Sequence, residues 1–254
     1  MSRSFDDLVG EAARTPIDGW DFRWLAGRAH EARPSWHYFE LVAERARAVT
    51  SMLDLEVGSG GMITALPTVA ALTVGTESYA PNVAGASHNL RRRGAHLVWP
   101  ETRQRLLPLR SNTFELVTSR HPVATWWSEI ARVLAPGGTY LSQQVGPYSL
   151  RALSEYLMGP LPTGSERTPE SAHAEAERAG LVVRTLRSEQ PATEFYDIGA
   201  VVYFLRVVVW IVPDFSVDRY REQLRRLHQQ IERDGRFATT ASRFLIEAVK
   251  PVLQ

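Results

Sequence analysis

The sequence contains no cysteine, and this absence excludes disulfide bonds, cysteine nucleophiles and thiolate metal sites. It also has almost no net charge, because 29 basic residues stand against 28 acidic residues and give a formal net charge of +1. A near-neutral chain has no general electrostatic attraction to nucleic acid. We therefore expect no nucleic-acid partner.

Long apolar runs are also missing. The longest, from Ala200 to Val212, is interrupted by Arg206 and is too short to span a bilayer. The first ten residues contain Asp6 and Asp7 and lack the apolar centre of a signal peptide. No histidine–carboxylate spacing typical of a metal site occurs. We expect a cytoplasmic protein with no membrane partner and no metal.

A chain of 254 residues with 44% hydrophobic content suits one large α/β domain, or one domain with a small appendage. Its organising stretch is Ser51 to Gly61. Leu53, Leu55 and Val57 alternate with acidic residues as in a strand, and the chain then turns through three glycines. Such a turn lets a ligand approach the backbone, and the short helical run that follows offers free N–H groups.

An acidic residue follows at the end of the second predicted strand, Val69 to Thr76. This residue is Glu77, and a carboxylate at the end of this strand is what ribose-binding α/β folds use to hold the ribose hydroxyls. Glu77 follows Gly60 along the sequence at slightly fewer residues than is usual in these folds, because Pro67 ends the intervening helix early. Ribose binding is the interpretation that we favour over an ordinary surface glutamate.

Polar residues also follow the fourth predicted strand, Phe114 to Ser119. Arg120 and His121 stand at its carboxyl end, where open α/β sheets place their ligands. A helix, the sequence Pro-Gly-Gly at residues 136–138 and a fifth strand come next. His121 is a candidate general base, although it also precedes a proline and could shape the turn or contact a cofactor.

Together these features resemble class I S-adenosylmethionine (SAM) methyltransferases. The resemblance rests on Glu-x-Gly-x-Gly at residues 56–60, Leu-Pro-Leu-x4-Phe-Glu-Leu-Val at residues 107–117 and the helix–Pro-Gly-Gly–strand order. It covers about residues 52–146 and is closest to the bacterial small-molecule type. It implies a doubly wound, Rossmann-like α/β fold with a seven-stranded, mostly parallel sheet, in which residues 242–248 form the antiparallel strand. The implied domain is residues 51–254, preceded by an N-terminal helical cap at residues 1–50.

The resemblance implies SAM as the cofactor and S-adenosylhomocysteine as its product. Residues lining the methionine part and the adenosine would come from the turn, the second strand end and the fourth strand end: Glu56, Gly58, Ser59, Gly60, Gly61, Glu77, Ser78, Tyr79, Arg120 and His121. Two departures stand out: Met62 occupies the position of the family's third glycine, and Arg103 occupies that of an adenine-binding acid. The hydroxyl of Thr102 is an alternative adenine contact.

Aromatic residues are concentrated before the first sheet strand. Trp20, Trp24 and Trp36 suit either a helical layer packed on the core or a lid over a ligand pocket, and the two interpretations are compatible. Tyr203, in a later apolar helix, suits the core or a substrate wall. We expect these four side chains to line the substrate pocket.

Several functions stay open. The first is methyl transfer from SAM to an oxygen, nitrogen or carbon atom of a small molecule, in a monomer or homodimer and within specialised metabolism. The second is a SAM-binding protein of this fold that catalyses a non-methylating reaction such as a cyclisation. A nicotinamide enzyme is disfavoured, because its Gly-x-Gly-x-x-Gly pattern would need glycine where the chain has Ile63. Nucleic-acid methylation lacks the basic and aromatic appendage that would support it.

Overall fold

The structure, a computed structural model, describes residues 3–17, 19–100, 105–162 and 167–252. The strands, in chain order, are β1 (Ala29–Glu31), β2 (Ser51–Leu55), β3 (Leu72–Thr76), β4 (His96–Val98), β5 (Phe114–Arg120), β6 (Leu134–Val145), β7 (Val182–Glu189), β8 (Ala192–Phe195), β9 (Phe237–Thr240) and β10 (Arg243–Val249). The helices are α1 (Phe5–Arg14), α2 (Tyr38–Arg47), α3 (Gly61–Ala65), α4 (Ala80–Arg91), α5 (Trp127–Val133), α6 (Arg151–Met158), α7 (Pro169–Arg178), α8 (Ile198–Val207) and α9 (Arg221–Asp234).

The chain forms two compact units, each assembled from three separate segments. The first unit consists of Met1–Arg33, Tyr148–Ser165 and Gln190–Ser242, and the second of Pro34–Pro147, Glu166–Glu189 and Arg243–Gln254. This division differs from the predicted one after residue 50. Residues 34–50 belong to the unit that contains the large sheet, and the helical unit draws on two later segments as well.

The second unit is built on a seven-stranded sheet with the order β4-β3-β2-β5-β6-β10-β7. Strands β2 to β6 pair in parallel, whereas β10 runs antiparallel to both β6 and β7. The predicted Rossmann-like fold class and the predicted antiparallel strand are thereby confirmed. Because β2 has β3 on one side and β5 on the other, the strand order reverses at this point, and the carboxyl ends of β2 and β5 flank a crevice.

Alternate residues of the central strands pack on opposite faces of this sheet, because side chains alternate along a strand. Leu53 and Val117 join a core with residues of α5 and α7. Met52 and Leu116 join a second core with residues of α2. Apolar layers on both faces explain why the strands are almost continuously buried.

The first unit has its own core, formed by the apolar faces of α1, α6, α8 and α9. It also contains a three-stranded antiparallel sheet with the order β1-β8-β9, which the sequence did not predict. Asp197 caps α8, since its Oδ1 accepts a hydrogen bond of 2.9 Å from the backbone N–H of Ala200. The same carboxylate receives a two-pronged ion pair from Arg28, at 2.7 and 2.8 Å.

No helix in the described part of the chain is long and apolar enough to cross a membrane.

Candidate functional site

The glycine turn after β2 contains three residues with positive φ. Glu56, Gly58 and Gly60 have φ angles of 55°, 60° and 80°. A Cβ at Gly60 would lie 2.3 Å from Leu90 Cδ1, so a side chain there would displace Leu90, and the φ of 80° also favours glycine. A Cβ at Gly58 would meet no atom within 4 Å, so the backbone at this position is open to a ligand.

Two carboxylates lie beside this turn. Glu56 Oε2 accepts hydrogen bonds from the Ser78 hydroxyl at 2.5 Å and from the Ser78 N–H at 3.4 Å. Glu77 is buried, and its oxygens accept from the Tyr79 N–H at 2.7 Å and from Asn82 Nδ2 at 3.3 Å. Burial raises the pKa of Glu77, and the negative charge of Glu56 adds to this rise. Glu56 follows β2, whereas Glu77 and Ser78 follow β3. The structure therefore brings together three predicted site residues from two different loops.

These residues fit a nucleoside cofactor. The open backbone at Gly58 allows close approach, and an ionised carboxylate offers about four acceptor positions, so Glu77 keeps capacity for ribose hydroxyls beyond its present partners. Tyr79, with 53% of its surface exposed, supplies an aromatic face next to them. The predicted adenine contact Thr102 and the departure at Arg103 lie outside the described residues.

Asp54 is a buried titratable residue in the middle of β2, and the strand alternation alone did not single it out. Its Oδ1 accepts a hydrogen bond of 2.7 Å from Thr118 Oγ1 on the neighbouring strand β5. Burial raises the pKa of Asp54 to about 7. The signal that could have identified it is an acid in the middle of a buried strand, two residues before the turn.

His121 follows β5 and belongs to a chain of hydrogen bonds that reaches Trp36. The Trp36 indole N–H donates to Gln143 Oε1 at 2.7 Å, and Gln143 Nε2 lies 2.9 Å from His121 Nε2. The backbone N–H of His121 donates to the Gln143 carbonyl at 2.7 Å, and the residue has a φ of 54°. A non-glycine residue in the left-handed region is uncommon, so the backbone at His121 is strained, and the hydrogen bonds fix the position of the residue.

The protonation of His121 follows from this chain. An indole N–H is only a donor, so Gln143 must present its oxygen to Trp36 and its NH₂ group to His121. Nε2 of His121 is consequently the acceptor, and Nδ1 carries the proton. Burial, with the positive charges of Arg243 and Arg120 adding to it, lowers the pKa of His121 to about 3. The imidazole is therefore neutral at pH 7, and its basic nitrogen is already engaged.

The other predicted cofactor contacts are distributed along the same loops. Arg120 is exposed at the end of β5, and Ser59 is exposed in the glycine turn. The carbonyl of Ser59 accepts a hydrogen bond of 2.9 Å from Asn89 Nδ2, which ties the turn to α4. Gly61 is the first residue of α3. Among the described residues, no group of three or more histidines and acids could hold a metal ion.

The predicted substrate-pocket residues fall in both units. In the first unit, Trp24 packs against Tyr203 with ring centroids 4.8 Å apart, and Trp20 packs against Trp210 at 5.3 Å. The Tyr203 hydroxyl donates to the Asp21 carbonyl at 2.8 Å. Trp36 belongs to the second unit, where it is 4% exposed and bonded to Gln143. Only Trp36 is thus placed in the hydrogen-bond chain of His121.

Comparison with protein families identifies a match to the part of the chain that contains these residues. Residues 53–142 match a family model described as "Methyltransferase domain". This segment of the chain is therefore similar to a methyltransferase domain. The matched residues begin in β2 and end in β6, so they include the glycine turn, Glu77 and His121. No curated protein sequence matches the chain significantly.

Solved structures share the fold at low sequence identity. The YcgJ protein of Bacillus subtilis is 15% identical with a TM-score of 0.58, over 85% of this chain and 99% of that one. A Bacillus halodurans protein provisionally called a methyltransferase is 16% identical with a TM-score of 0.58, over 84% and 98%. The [4+2]-cyclase SpnF is 17% identical with a TM-score of 0.56, over 98% and 94%. At these identities the similarity establishes the methyltransferase-domain fold alone.

Proposed function

We propose that the protein binds SAM in the second unit and transfers its methyl group to an oxygen, nitrogen or carbon atom of a small molecule. One observation carries the proposal: the methyltransferase-domain match spans the glycine turn, Glu77 and His121 in one continuous stretch, residues 53–142. The open backbone at Gly58 and the acceptor oxygens of Glu77 support it, because a nucleoside needs both.

Bound SAM supplies an electrophilic methyl group on a sulfonium. The residues of this chain have binding and positioning roles in the proposal. The carboxylate of Glu77 accepts hydrogen bonds from the ribose hydroxyls, Ser78 and Tyr79 flank the adenosine, and Glu56 with Gly58 faces the methionine part. Arg120 and His121 contact the same end of the ligand from the fourth-strand loop. Placing a nucleophile in line with the methyl carbon then provides most of the rate enhancement.

Methyl transfer itself is tested with SAM labelled in the methyl group and an extract of small metabolites as the source of acceptors. We expect the label to appear in the small-molecule fraction in a protein-dependent reaction, with S-adenosylhomocysteine formed in equal amount. Heat-denatured protein is the control. If the protein binds SAM but the label stays in SAM, methyl transfer is contradicted.

His121 is expected to contact the ligand, and the structure argues against a role as general base because its Nε2 already accepts from Gln143. We predict that His121→Ala weakens SAM binding and slows turnover together. A general base contributes about a hundredfold to ten-thousandfold in rate. A loss of that size in kcat with unchanged SAM affinity would show that His121 is the base after all.

A second candidate is a SAM-binding protein that catalyses a non-methylating reaction. The observation that favours it is the lack of a poised base at His121, whose pKa lies near 3 and whose tautomer is held by Gln143. Analysis of the reaction mixture after turnover distinguishes the two functions. In a non-methylating reaction the substrate is consumed, SAM remains unreacted and no S-adenosylhomocysteine forms.

We infer a small-molecule substrate, a cytoplasmic location and a monomeric or homodimeric state. The proposed substrate contacts are Trp20, Trp24 and Tyr203 in the first unit and Trp36 in the second.

A further inference from the structure

Asn82 is a half-buried residue in the first turn of α4, and its side chain contacts the carboxylate of Glu77. Its Nδ2 atom donates a hydrogen bond of 3.3 Å to Glu77 Oε2. Tyr79 is the N-cap of the helix, and the backbone N–H of Asn82 donates to the Tyr79 carbonyl at 2.9 Å. Because helical side chains point towards the N-terminus of their helix, this position directs the Asn82 side chain back to the residues that precede α4.

The chemistry of Glu77 fixes the orientation of the Asn82 amide. An ionised carboxylate only accepts hydrogen bonds, so Asn82 presents its NH₂ group to Glu77 and not its carbonyl oxygen. The backbone N–H of Tyr79 donates to the other carboxylate oxygen, Oε1, at 2.7 Å. One donor on each oxygen holds the plane of the carboxylate and leaves each oxygen with a further acceptor position.

The charge of Glu77 is subject to opposing influences. Glu77 is 2% exposed, and burial raises its pKa, while the negative charge of Glu56 on the glycine turn adds to this rise. The backbone N–H groups of Tyr79 and Gly58 and the amide of Asn82 act against it and lower the pKa. Among the donors that the described residues supply to Glu77, Asn82 contributes the one side chain, so a substitution can remove its effect.

An acidic residue would be the ordinary choice at this helix position. The first turn of a helix favours Asp and Glu, because the unpaired N–H groups there carry partial positive charge. The first turn of α4 nevertheless contains no acidic residue. A carboxylate at position 82 would face the carboxylate of Glu77, and the repulsion would favour protonation of one of the two. The neutral amide of Asn82 avoids this repulsion and adds a donor.

We propose that Asn82 is a positioning residue that holds Glu77 ionised and oriented for the ribose hydroxyls of SAM. This role rests on the proposed function, since it concerns the same cofactor site. A protonated Glu77 would place an O–H donor where the ribose hydroxyls need an acceptor, and a freely rotating carboxylate would lose more entropy on binding them. Asn82 acts through Glu77 and needs no contact with the cofactor itself.

Two variants of the full-length protein separate this role from a purely structural one. Asn82→Leu removes the amide at similar size, and Asn82→Asp keeps the shape of the side chain but adds a negative charge beside Glu77. We expect calorimetry at pH 7 to show SAM binding weakened about tenfold in Asn82→Leu, through loss of a charged hydrogen bond, and weakened further in Asn82→Asp. A role confined to the helix predicts the opposite order of the two variants, because Asp in a first turn stabilises a helix.

The dependence of SAM binding on pH gives a readout that a structural role would not move. Binding should be lost towards acid pH as Glu77 becomes protonated, and the midpoint of this loss should lie about half a unit to one unit higher in Asn82→Leu than in the parent. His88→Ala, at an exposed position of the same helix, is the matched control and should leave both the affinity and the midpoint unchanged.

Parent-like affinity and an unshifted midpoint in both variants would overturn the role of Asn82. Tighter binding by Asn82→Leu would also overturn it, since the amide would then compete with the ribose for Glu77. Stronger binding by Asn82→Asp than by Asn82→Leu would leave Asn82 with a helix-stabilising role alone. Absence of SAM binding by the folded parent would instead contradict the proposed function, and with it this role, so the two failures are distinguishable.

Discussion

Two side chains of the second unit, the buried Asp54 and the half-buried His121, have pKa values displaced in opposite directions. Burial raises the pKa of Asp54 from 3.8 to about 7 and lowers that of His121 from 6.5 to about 3. Between about pH 4 and 6.5, the folded protein therefore carries a proton on Asp54 that the unfolded chain lacks. Over the same range it lacks a proton on His121 that the unfolded chain carries. Linkage makes each displacement a pH-dependent change in the free energy of unfolding.

The signs of the two effects are opposite. Asp54 has a raised pKa in the folded state, so the stability that it contributes is full below pH 4 and is lost as the pH rises to about 7. His121 has a lowered pKa in the folded state, so its contribution is full above pH 6.5 and is lost as the pH falls towards 3. Each effect amounts to roughly 4–5 kcal/mol, and the two opposite pH dependences nearly cancel between pH 4 and 6.5.

We predict that single substitutions uncover this cancellation. Asp54→Asn should make the free energy of unfolding of the second unit rise more steeply with pH between 4 and 6.5 than it does in the parent, because only the His121 effect remains. His121→Gln should make it fall with pH over the same range. Denaturant unfolding at a series of pH values measures both slopes, and parallel curves for the parent and the two variants would refute the assigned pKa displacements.

The sequence predicted some of these residues and missed others for a physical reason. Glu77 could be predicted because its position follows from a local pattern, a strand end at a set distance from a glycine turn. The state of His121 could not, since it depends on Trp36 and Gln143, which lie 85 and 22 residues away along the chain. Burial of Asp54 likewise needs the neighbouring strand.

At the scale of elements, Leu90 joins the glycine turn to α4. A Cβ at Gly60 would lie 2.3 Å from Leu90 Cδ1, and a Cβ at Gly75 would lie 2.7 Å from Leu90 Cδ2. Glycine at both positions makes room for one leucine, so α4 closes tightly over the start of α3 and over β3. The turn is therefore held in shape by packing, and the neighbouring Gly58 is left open.

We predict that Gly60→Ala destabilises the second unit by about 1–3 kcal/mol, through contact with Leu90 and through a φ of 80°, which costs a residue with a Cβ about 1–2 kcal/mol. Gly61→Ala is the control, because its Cβ would have only an ordinary contact of 3.7 Å with Ser59 Oγ. Thermal or denaturant unfolding measures both. Equal stability of the two variants would contradict the packing role of Gly60.

The elements of the large sheet could be predicted because each strand carries a local apolar pattern bounded by turn residues. The small sheet of β1, β8 and β9 could not. Its strands have three or four residues each, and their partners lie more than forty residues apart along the chain, as in the pairs of Ala29 with Phe195 and of Phe195 with Phe237. Pairing of this kind leaves almost no local signal.

At the scale of the whole molecule, each unit is assembled from three chain segments. The predicted boundary after residue 50 lay at the start of the first strand of the domain that the resemblance implied, with residues 1–50 as a helical cap. The structure instead places residues 148–165 and 190–242 with the N-terminal residues, because their apolar faces share one core. A boundary that depends on contacts between distant segments cannot be derived from composition along the chain.

The lid proposed for residues 20–38 is a prediction at this scale. We expect the amides of this segment to exchange more slowly with solvent when SAM is bound, because a lid becomes ordered over its ligand. Hydrogen exchange with and without SAM measures this, and residues 58–61 provide the internal reference for ligand binding. If SAM slows exchange at residues 58–61 but leaves exchange at residues 20–38 unchanged, residues 20–38 form a structural layer and not a lid.

The proposed function requires SAM binding by the second unit, and calorimetric titration with SAM tests this requirement. We predict saturable binding by the parent protein. Glu77→Gln, which keeps the shape of the side chain but removes its charge, should weaken binding by about 1–3 kcal/mol through loss of charged hydrogen bonds. Glu44→Ala, at an exposed position of α2 in the same unit, should bind as the parent does. Undetectable SAM binding by the folded parent, or tighter binding of a nicotinamide cofactor, would contradict the central claim.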